Sequence, residues 1–231
     1  MNSHSLGRTA RPVGLGGACL AAVALAASAL GQSSNANCSF GLVPTPSPGG
    51  IVMAFEVFDG GAGPELFLGV SPVSPNPLGD PVRWTGAGFA PVGNSTLFGV
   101  LALRAGTLSG SPQLFAGFTG APAIRAWNGS TWSDLGVGLA LVAPSNPFEV
   151  VGADALAVGN VGSGPRLYVA GRFDRAGGLV APGLASWDGA AWSAMPSPGG
   201  RVRDMLTFND GSGERLFCAT DVGLKIWNGT G

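Results

Sequence analysis

Histidine, lysine and tyrosine are almost missing from this chain of 231 residues, and charged residues make up only 11% of it. The single histidine is His4, and the single lysine and tyrosine are Lys225 and Tyr168. Catalysis and metal binding that depend on imidazole are therefore disfavoured. Long helices are disfavoured as well, because the 40 Gly and 18 Pro residues are of the two types that fit worst in a helix interior.

Apolar residues, in contrast, are plentiful. They make up 45% of the chain, so a core can form and disorder through low hydrophobicity is excluded. Together with the many turn-forming residues, this composition favours a compact all-β protein. The formal net charge is −1 and the sequence has no basic stripe. Nucleic-acid binding and electrostatic docking to an anionic membrane are therefore not expected.

Residues 1–31 have the pattern of an export signal. Arg8 and Arg11 form a basic start, residues 13–30 form an apolar run, and Gly31 ends the run with a small residue before a polar stretch. A membrane anchor is the alternative, but an Ala- and Gly-rich run of 18 residues is marginal for a span, which needs ~20. We predict cleavage near Gly31 and a secreted, periplasmic or cell-surface protein. No further apolar run of spanning length follows, so no membrane span is expected after signal removal.

Two cysteines, Cys38 and Cys218, remain after the predicted signal. In an exported protein they could be oxidised to a disulfide. The alternative is that both are unpaired and behave as small apolar residues.

The strongest pattern in the sequence is a fourfold internal repeat. Each repeat has an apolar stretch, a Gly-rich turn, a Leu followed by an aromatic residue, and then a Trp. A second aromatic residue follows this Trp by five positions in the first three repeats, as Phe89, Trp132 and Trp192. The Leu-aromatic pairs are Leu66-Phe67, Leu114-Phe115, Leu167-Tyr168 and Leu216-Phe217, and the Trp residues are Trp84, Trp127, Trp187 and Trp227.

Each repeat predicts four short antiparallel strands. The apolar stretch forms the first strand, the Leu-aromatic pair lies on the second, and the third ends at the Trp. A hairpin such as Asn128-Gly129 or Asp188-Gly189 then leads into the fourth strand. The large aromatic residues are expected to pack between repeats rather than against a ligand. After an N-terminal strand segment at 32–50, the predicted units are 51–96, 97–150, 151–200 and 201–231.

Four antiparallel strands in about 50 residues are the size of one β-propeller blade. We therefore predict an all-β fold, a β-propeller of about four four-stranded antiparallel blades. Whether the ring closes is left open. The fourth unit reaches Gly231 before a second aromatic residue, and residues 40–50 resemble residues 192–200. The N-terminal strand could therefore complete the last blade and close the ring. Alternatively, the chain is a piece of a longer propeller.

The third unit resembles a known family. Its runs GSGPRLYVAGRFDRAGG (162–178) and LASWDGAAW (184–192) are similar to the consensus of kelch-like β-propeller repeats in large secreted proteins of environmental bacteria. The resemblance covers residues 38–231. Units 1 and 2 lack the Ala-Gly-Gly element of that consensus, and unit 4 lacks most of the same loop. The resemblance implies a propeller fold and export from a bacterial cell, and it carries no activity.

The chain has little that could support catalysis. No histidine remains once the predicted signal is removed, and Walker-type and Rossmann glycine motifs are absent. We therefore expect no enzymatic activity, no metal site and no cofactor. Paired carboxylates could still support glycoside hydrolysis, although most of them fall in turns, where Asp caps the backbone. The candidates are Glu56, Asp59, Glu65, Asp154, Asp174, Asp188, Asp204, Asp210 and Asp221.

Arg172, Asp174 and Arg175 are the candidate ligand-binding residues. They lie in the loop between the second and third strands of unit 3, where two Arg flanking an Asp could bind a carboxylate or a sugar. The alternative is a structural salt bridge.

The predicted function is a secreted, non-enzymatic binding or interaction module for a glycan or a protein. A polysaccharide-active propeller enzyme with paired carboxylates and a structural cell-surface repeat protein are the alternatives.

Overall fold

The computed structural model describes residues 47–72, 81–93, 97 and 99–230. These residues form 18 β-strands and no helix. The prediction of an all-β fold is therefore confirmed for this part of the chain. The predicted export signal and most of the predicted N-terminal strand segment at 32–50 lie outside the described residues.

Each repeat folds into one antiparallel sheet whose strands follow in chain order. Unit 1 contains β1 (Gly50–Asp59), β2 (Pro64–Pro72), β3 (Val82–Trp84) and β4 (Phe89–Pro91). Unit 2 contains β5 (Val100–Leu108), β6 (Ser111–Phe118), β7 (Ile124–Trp127) and β8 (Trp132–Asp134). Unit 3 contains β10 (Gly152–Gly159), β11 (Arg166–Arg172), β14 (Leu184–Trp187) and β15 (Trp192–Ala194). Unit 4 contains β16 (Val202–Asn209), β17 (Glu214–Thr220) and β18 (Gly223–Trp227).

The predicted hairpins between the third and fourth strands are confirmed in units 2 and 3. Trp127 is paired with Trp132, and Trp187 with Trp192, so each pair lies side by side on one face of its sheet. Gly129 and Gly189 have φ angles of 99° and 102°, which a tight hairpin turn requires and a side chain would oppose.

A fifth, three-stranded sheet was not predicted from the sequence. It contains β9 (Leu139–Ala140), β12 (Arg175–Ala176) and β13 (Leu179–Val180), with β12 in the centre. Arg175 is paired with Ala140 on one side and with Val180 on the other. The segment that the sequence indicated as a loop of unit 3 is therefore tied to the end of unit 2.

The two faces of each sheet differ in their aromatic residues. Residues paired directly across antiparallel strands point to the same face. The pairing of Leu114 with Trp127, and of Phe115 with Ala126, therefore places Trp127 and Phe115 on opposite faces. We call the face with the Trp at the end of the third strand the Trp face, and the face with the aromatic residue of the Leu-aromatic pair the reverse face.

Neighbouring units pack with the Trp face of one against the reverse face of the unit before it. Between units 1 and 2, the buried cluster joins Phe58 and Phe67 to Leu114 and Trp127. The next two interfaces likewise pack an aromatic residue from the reverse face of one unit against Leu and Trp residues on the Trp face of the next. Phe115 of unit 2 packs with Leu167, Trp187 and Trp192, and Tyr168 of unit 3 packs with Met205, Leu216 and Trp227. The prediction that the large aromatic residues pack between units is confirmed at these interfaces.

The first strands of the units are the inner strands, and they lie next to one another in the order β1, β5, β10 and β16. The contacts between these inner strands run from unit 1 to unit 4 in chain order, and no closed ring is detected in the described part of the chain. Residues 40–50 were considered as the strand that could pair with the third strand of unit 4. Of these, 40–46 lie outside the described part, and Gly50 begins β1 of unit 1. Closure by the N-terminal strand therefore stays a prediction.

Candidate functional site

All four inner strands carry a β-bulge at the same position. The pairing register between the first and second strands skips one residue in every unit. A bulged residue has no partner in the ladder, and its side chain is turned away from the regular alternation. The skipped residues are Met53, Leu101, Asp154 and Arg203. The repeat therefore places four chemically different side chains at equivalent positions.

These four bulge residues converge on the same space. Two adjoining cavities, of about 380 Å³ and about 400 Å³, are each lined by all four of them. The smaller cavity is otherwise lined by inner-strand residues, including Arg104 and Asp204. The larger one also takes in Arg172, Arg201 and Val202. We call the larger one the arginine cavity.

Asp154 holds two of the arginines at this cavity. Its Oδ1 accepts a hydrogen bond from Nη2 of Arg172 at 3.3 Å, and its Oδ2 accepts one from Nη2 of Arg201 at 2.8 Å. The Asp154 side chain is only 11% exposed. The backbone N–H of Arg201 is also fixed, since it donates to Oδ1 of Asp221 at 2.9 Å. The two guanidinium groups are therefore positioned by carboxylates rather than left to move freely.

The charge at the arginine cavity is positive. Three of its lining residues are Arg172, Arg201 and Arg203, and Asp154 is the one acid among them. The Nε atom of Arg172 is buried and has no hydrogen-bond partner among the described residues. A buried donor without a partner carries a desolvation cost.

Asp174 fixes the loop beside this cavity. Its carboxylate accepts hydrogen bonds from the backbone N–H groups of Val142, at 2.9 Å, and Ala143, at 2.8 Å. These two hydrogen bonds, the one from Val142 above all, lower the pKa of Asp174, and the Arg175 charge adds to the effect. Asp174 therefore stays ionised and anchors the segment that leads from β9 to β10.

That segment carries an acidic residue that interacts with the arginines and, next to it, an exposed aromatic residue. Ser145 donates from its N–H and its Oγ to the Oε2 of Glu149, at 2.7 and 2.6 Å. These bonds lower the pKa of Glu149, and the charges of Arg172 and Arg201 contribute to the shift. Glu149 is thus within electrostatic reach of the cavity. The adjacent Phe148 is 90% exposed.

The three predicted binding residues therefore lie in different places. Arg172 lines the arginine cavity, Asp174 anchors the loop next to it, and Arg175 lies on β12 in the small sheet. Sequence reasoning missed Arg201, Arg203 and Phe148. One signal was present, since Asp154 and Arg203 are charged residues in apolar first-strand segments. Without knowledge of the bulge, that signal did not show that both point into one cavity.

Most of the other candidate carboxylates serve turns, as the sequence suggested. Asp188 accepts from the backbone N–H groups of Ala190 and Ala191, and Asp59 accepts from those of Gly61 and Gly63. Asp154 and Asp204 are the two candidates that line a common cavity. Oδ1 of Asp204 accepts from the N–H of Met205, and Asp154 is engaged by two arginines.

Cys218 lies on β17 and is buried between units 3 and 4. Burial raises the pKa of its thiol to about 11. The thiol has no disulfide partner among the described residues. Its predicted partner, Cys38, lies outside them, so the disulfide stays a prediction.

No group of three or more His, Cys, Asp or Glu side chains that could hold a metal ion occurs within the described ranges. The same residues include no helix with the length and apolar character needed to cross a membrane.

No family model matches the chain, and no curated protein matches its sequence. The resemblance to kelch-like repeats therefore stays a prediction.

Proposed function

We propose that this chain is a secreted, non-enzymatic binding module of the β-propeller type, and that its ligand is an anionic glycan held at the arginine cavity. One observation carries the proposal. The bulges of four repeated strands bring together a cavity in which three arginines face a single aspartate. A glycan with carboxylate groups is the secreted ligand class that fits this charge.

The stacked arrangement of the sheets supports the propeller part of the proposal. Four sheets follow one another in chain order, their inner strands are neighbours, and residues from all four inner strands line common cavities. The resemblance of unit 3 to kelch-like repeats and the predicted export signal support a secreted bacterial protein of this kind.

The chemistry of the cavity supports an anionic sugar. A guanidinium group presents a planar fork of donors that matches a carboxylate, and Arg keeps its charge at any physiological pH. A volume of about 400 Å³ is within the usual range of small-ligand sites, which runs from about 300 to 1,000 Å³. The exposed ring of Phe148, next to Glu149 on the segment that Asp174 anchors, offers an apolar surface on which the C–H face of a sugar ring can pack.

A polysaccharide-cleaving enzyme is the weaker proposal. It needs a carboxylic acid and a second carboxylate on opposite sides of the scissile bond. Asp154 and Asp204 line one cavity, but the first holds two arginines and the second accepts a backbone N–H. We therefore assign both carboxylates to the architecture of the site.

The proposal is tested by titrating the chain with an oligogalacturonate and with a neutral oligogalactoside of the same length. The anionic oligosaccharide is expected to bind at least about tenfold more tightly than the neutral one, and its affinity is expected to fall as salt is added. Arg203→Gln is expected to weaken it, because Arg203 is an exposed cation lining the cavity. Arg125→Gln is the matched control, since Arg125 is paired with Asp134 at 2.6 Å and does not line the cavity. Equal binding of the two oligosaccharides, or equal effects of the two variants, would contradict the proposal.

A further inference from the structure

The two ends of the stack of described units carry exposed apolar residues at positions that are buried inside the stack. At equivalent positions on the Trp faces, Leu103, Leu156 and Met205 of units 2, 3 and 4 are 4%, 2% and 1% exposed. The equivalent residue of unit 1 is Phe55, which is 63% exposed. On the same face, Leu68 and Val82 are 4% and 0% exposed, whereas Val57 is 56% exposed. The β1 side of the Trp face of unit 1 therefore lacks the cover that the inner strand of every later unit receives from the unit before it.

At the other end of the stack, the reverse face of unit 4 also has exposed apolar residues. Phe58, on the reverse face of unit 1, is 3% exposed because unit 2 covers it. Phe208 is the equivalent residue of unit 4 and is 48% exposed. Leu206 and Ile226 on the same face are each 50% exposed.

The exposed face of unit 4 has the same aromatic construction as the buried face of unit 1. Phe58 and Phe67 form an edge-to-face pair with ring centroids 6.0 Å apart and an interplanar angle of 65°. Phe208 and Phe217 form a pair with centroids 6.2 Å apart and an angle of 63°. The first pair packs against the Trp face of unit 2. The second pair is therefore shaped to pack against a Trp face as well.

The Trp face of unit 1 offers a matching surface. An apolar groove of about 350 Å³ lies on it. Its lining residues include Phe55, Leu66, Leu68, Trp84 and Phe89. In unit 2, Leu114 and Trp127 pack against Phe58 and Phe67 of unit 1. Leu66 and Trp84 occupy the equivalent positions of unit 1. The two exposed end faces are thus the two halves of an interface that the chain already forms three times.

We propose that these faces pair between two copies of the chain, with the Trp face of unit 1 in one copy on the reverse face of unit 4 in the other. The occupant of each face is thus a second copy, because continuity with the three internal interfaces defines the partner surface. Two copies that exchange this contact in both directions form a dimer in which both apolar end faces are covered. This self-association does not depend on the proposed glycan site.

The test is the molar mass of the purified chain, measured by sedimentation velocity and light scattering over a series of micromolar concentrations. The wild-type chain is expected at twice the mass of one copy. Phe55→Lys and Phe208→Lys each place a charge on one end face, and each is expected to shift the chain to a monomer. Val137→Lys is the control, because Val137 is 76% exposed and lies between β8 and β9, on neither end face. The midpoint of urea unfolding shows that each variant is folded.

Mixing the two variants tests which faces meet. Phe55→Lys keeps an intact reverse face on unit 4, and Phe208→Lys keeps an intact Trp face on unit 1. In an equimolar mixture one of the two contacts joins intact faces and the other joins the two substituted faces. A one-to-one dimer weaker than that of the wild-type chain is therefore expected, although neither variant associates alone. A monomeric wild-type chain would overturn the proposal, and would indicate that another part of the same chain covers the faces. A mixture that stays monomeric, or a Val137→Lys variant that also dissociates, would overturn it too.

Discussion

The indole N–H of Trp192 donates a hydrogen bond to the backbone carbonyl oxygen of Leu135 at 2.8 Å, across the boundary between units 3 and 2. Trp132 makes the same bond across the previous boundary, to the carbonyl oxygen of Val92 at 2.9 Å. In units 2 and 3 the second aromatic residue therefore links its unit to the preceding one. At this position unit 1 has Phe89, whose side chain has no N–H to donate.

Trp192→Phe is expected to destabilise the chain by about 1 kcal/mol, because the carbonyl oxygen of Leu135 loses the indole donor and keeps only the backbone N–H of Gly138, at 3.1 Å. Trp132→Phe is expected to cost less, since its bond is only partly buried. Urea unfolding of both variants measures the difference. A neutral Trp192→Phe variant would mean that this bond contributes nothing to the unit 2–unit 3 interface.

Gly177→Ala is expected to be much more damaging than Gly178→Ala. Both glycines have positive φ angles, of 59° and 85°, where a side chain costs about 1–2 kcal/mol. A Cβ on Gly177 would also lie 2.6 Å from Cδ1 of Trp192, whereas a Cβ on Gly178 meets nothing within 4 Å. The overpacking is expected to add about 1–3 kcal/mol. Thermal unfolding compares the two, and equal costs would exclude the predicted clash.

The main strands of the repeats could be predicted from the sequence, but the arginine cavity could not. Periodicity and Asn-Gly or Asp-Gly turns located the third and fourth strands to the residue at Trp127, Trp132, Trp187 and Trp192. The bulges were invisible, because inner strands such as β5 and β10 are largely apolar on both faces and so have no clear alternation that a bulge would interrupt. Arg172, Arg201 and Arg203 come together only through tertiary packing of units 3 and 4. The sheet around Arg175 was also missed, since two-residue strands have no periodicity.

Asp174→Ala is expected to weaken binding of the anionic oligosaccharide several-fold, because it frees the loop that carries Phe148 and Glu149. Asp188→Ala is the matched control: Asp188 also accepts two backbone N–H groups, but in the hairpin turn of unit 3. Titration calorimetry compares the two variants. Equal binding by both would show that the loop plays no part in recognition.

The same anchor has a pH dependence. The pKa of Asp174 in the folded chain lies below its ordinary value. Its stabilising contribution is therefore present above the ordinary pKa and is lost as the pH falls through the lowered one. Proteolysis within residues 142–150 is expected to accelerate only at acidic pH in the wild-type chain, and at neutral pH as well in Asp174→Ala. Loop cleavage at the same neutral-pH rate in both would contradict this role.

Cys218 is expected to resist alkylation while the chain is folded. In a variant with Cys19→Ala and Cys38→Ser, Cys218 is the remaining cysteine. Its burial and a thiol pKa of about 11 predict negligible labelling at mildly alkaline pH and complete labelling in denaturant. Rapid labelling of the folded variant would contradict the packing of units 3 and 4. In the wild-type chain, protection that persists in denaturant until a reductant is added would support the predicted disulfide with Cys38.

The most direct measurement for the proposed site is oligogalacturonate binding by two variants with the same net charge. Arg203→Glu reverses a charge that lines the arginine cavity, and Lys225→Glu reverses one on the exposed β18, outside that cavity. Arg203→Glu is expected to weaken binding by more than about tenfold, while Lys225→Glu stays within about twofold of the wild-type chain. Equal weakening by the two variants, or none by Arg203→Glu, would contradict an anion site at the bulges of the inner strands.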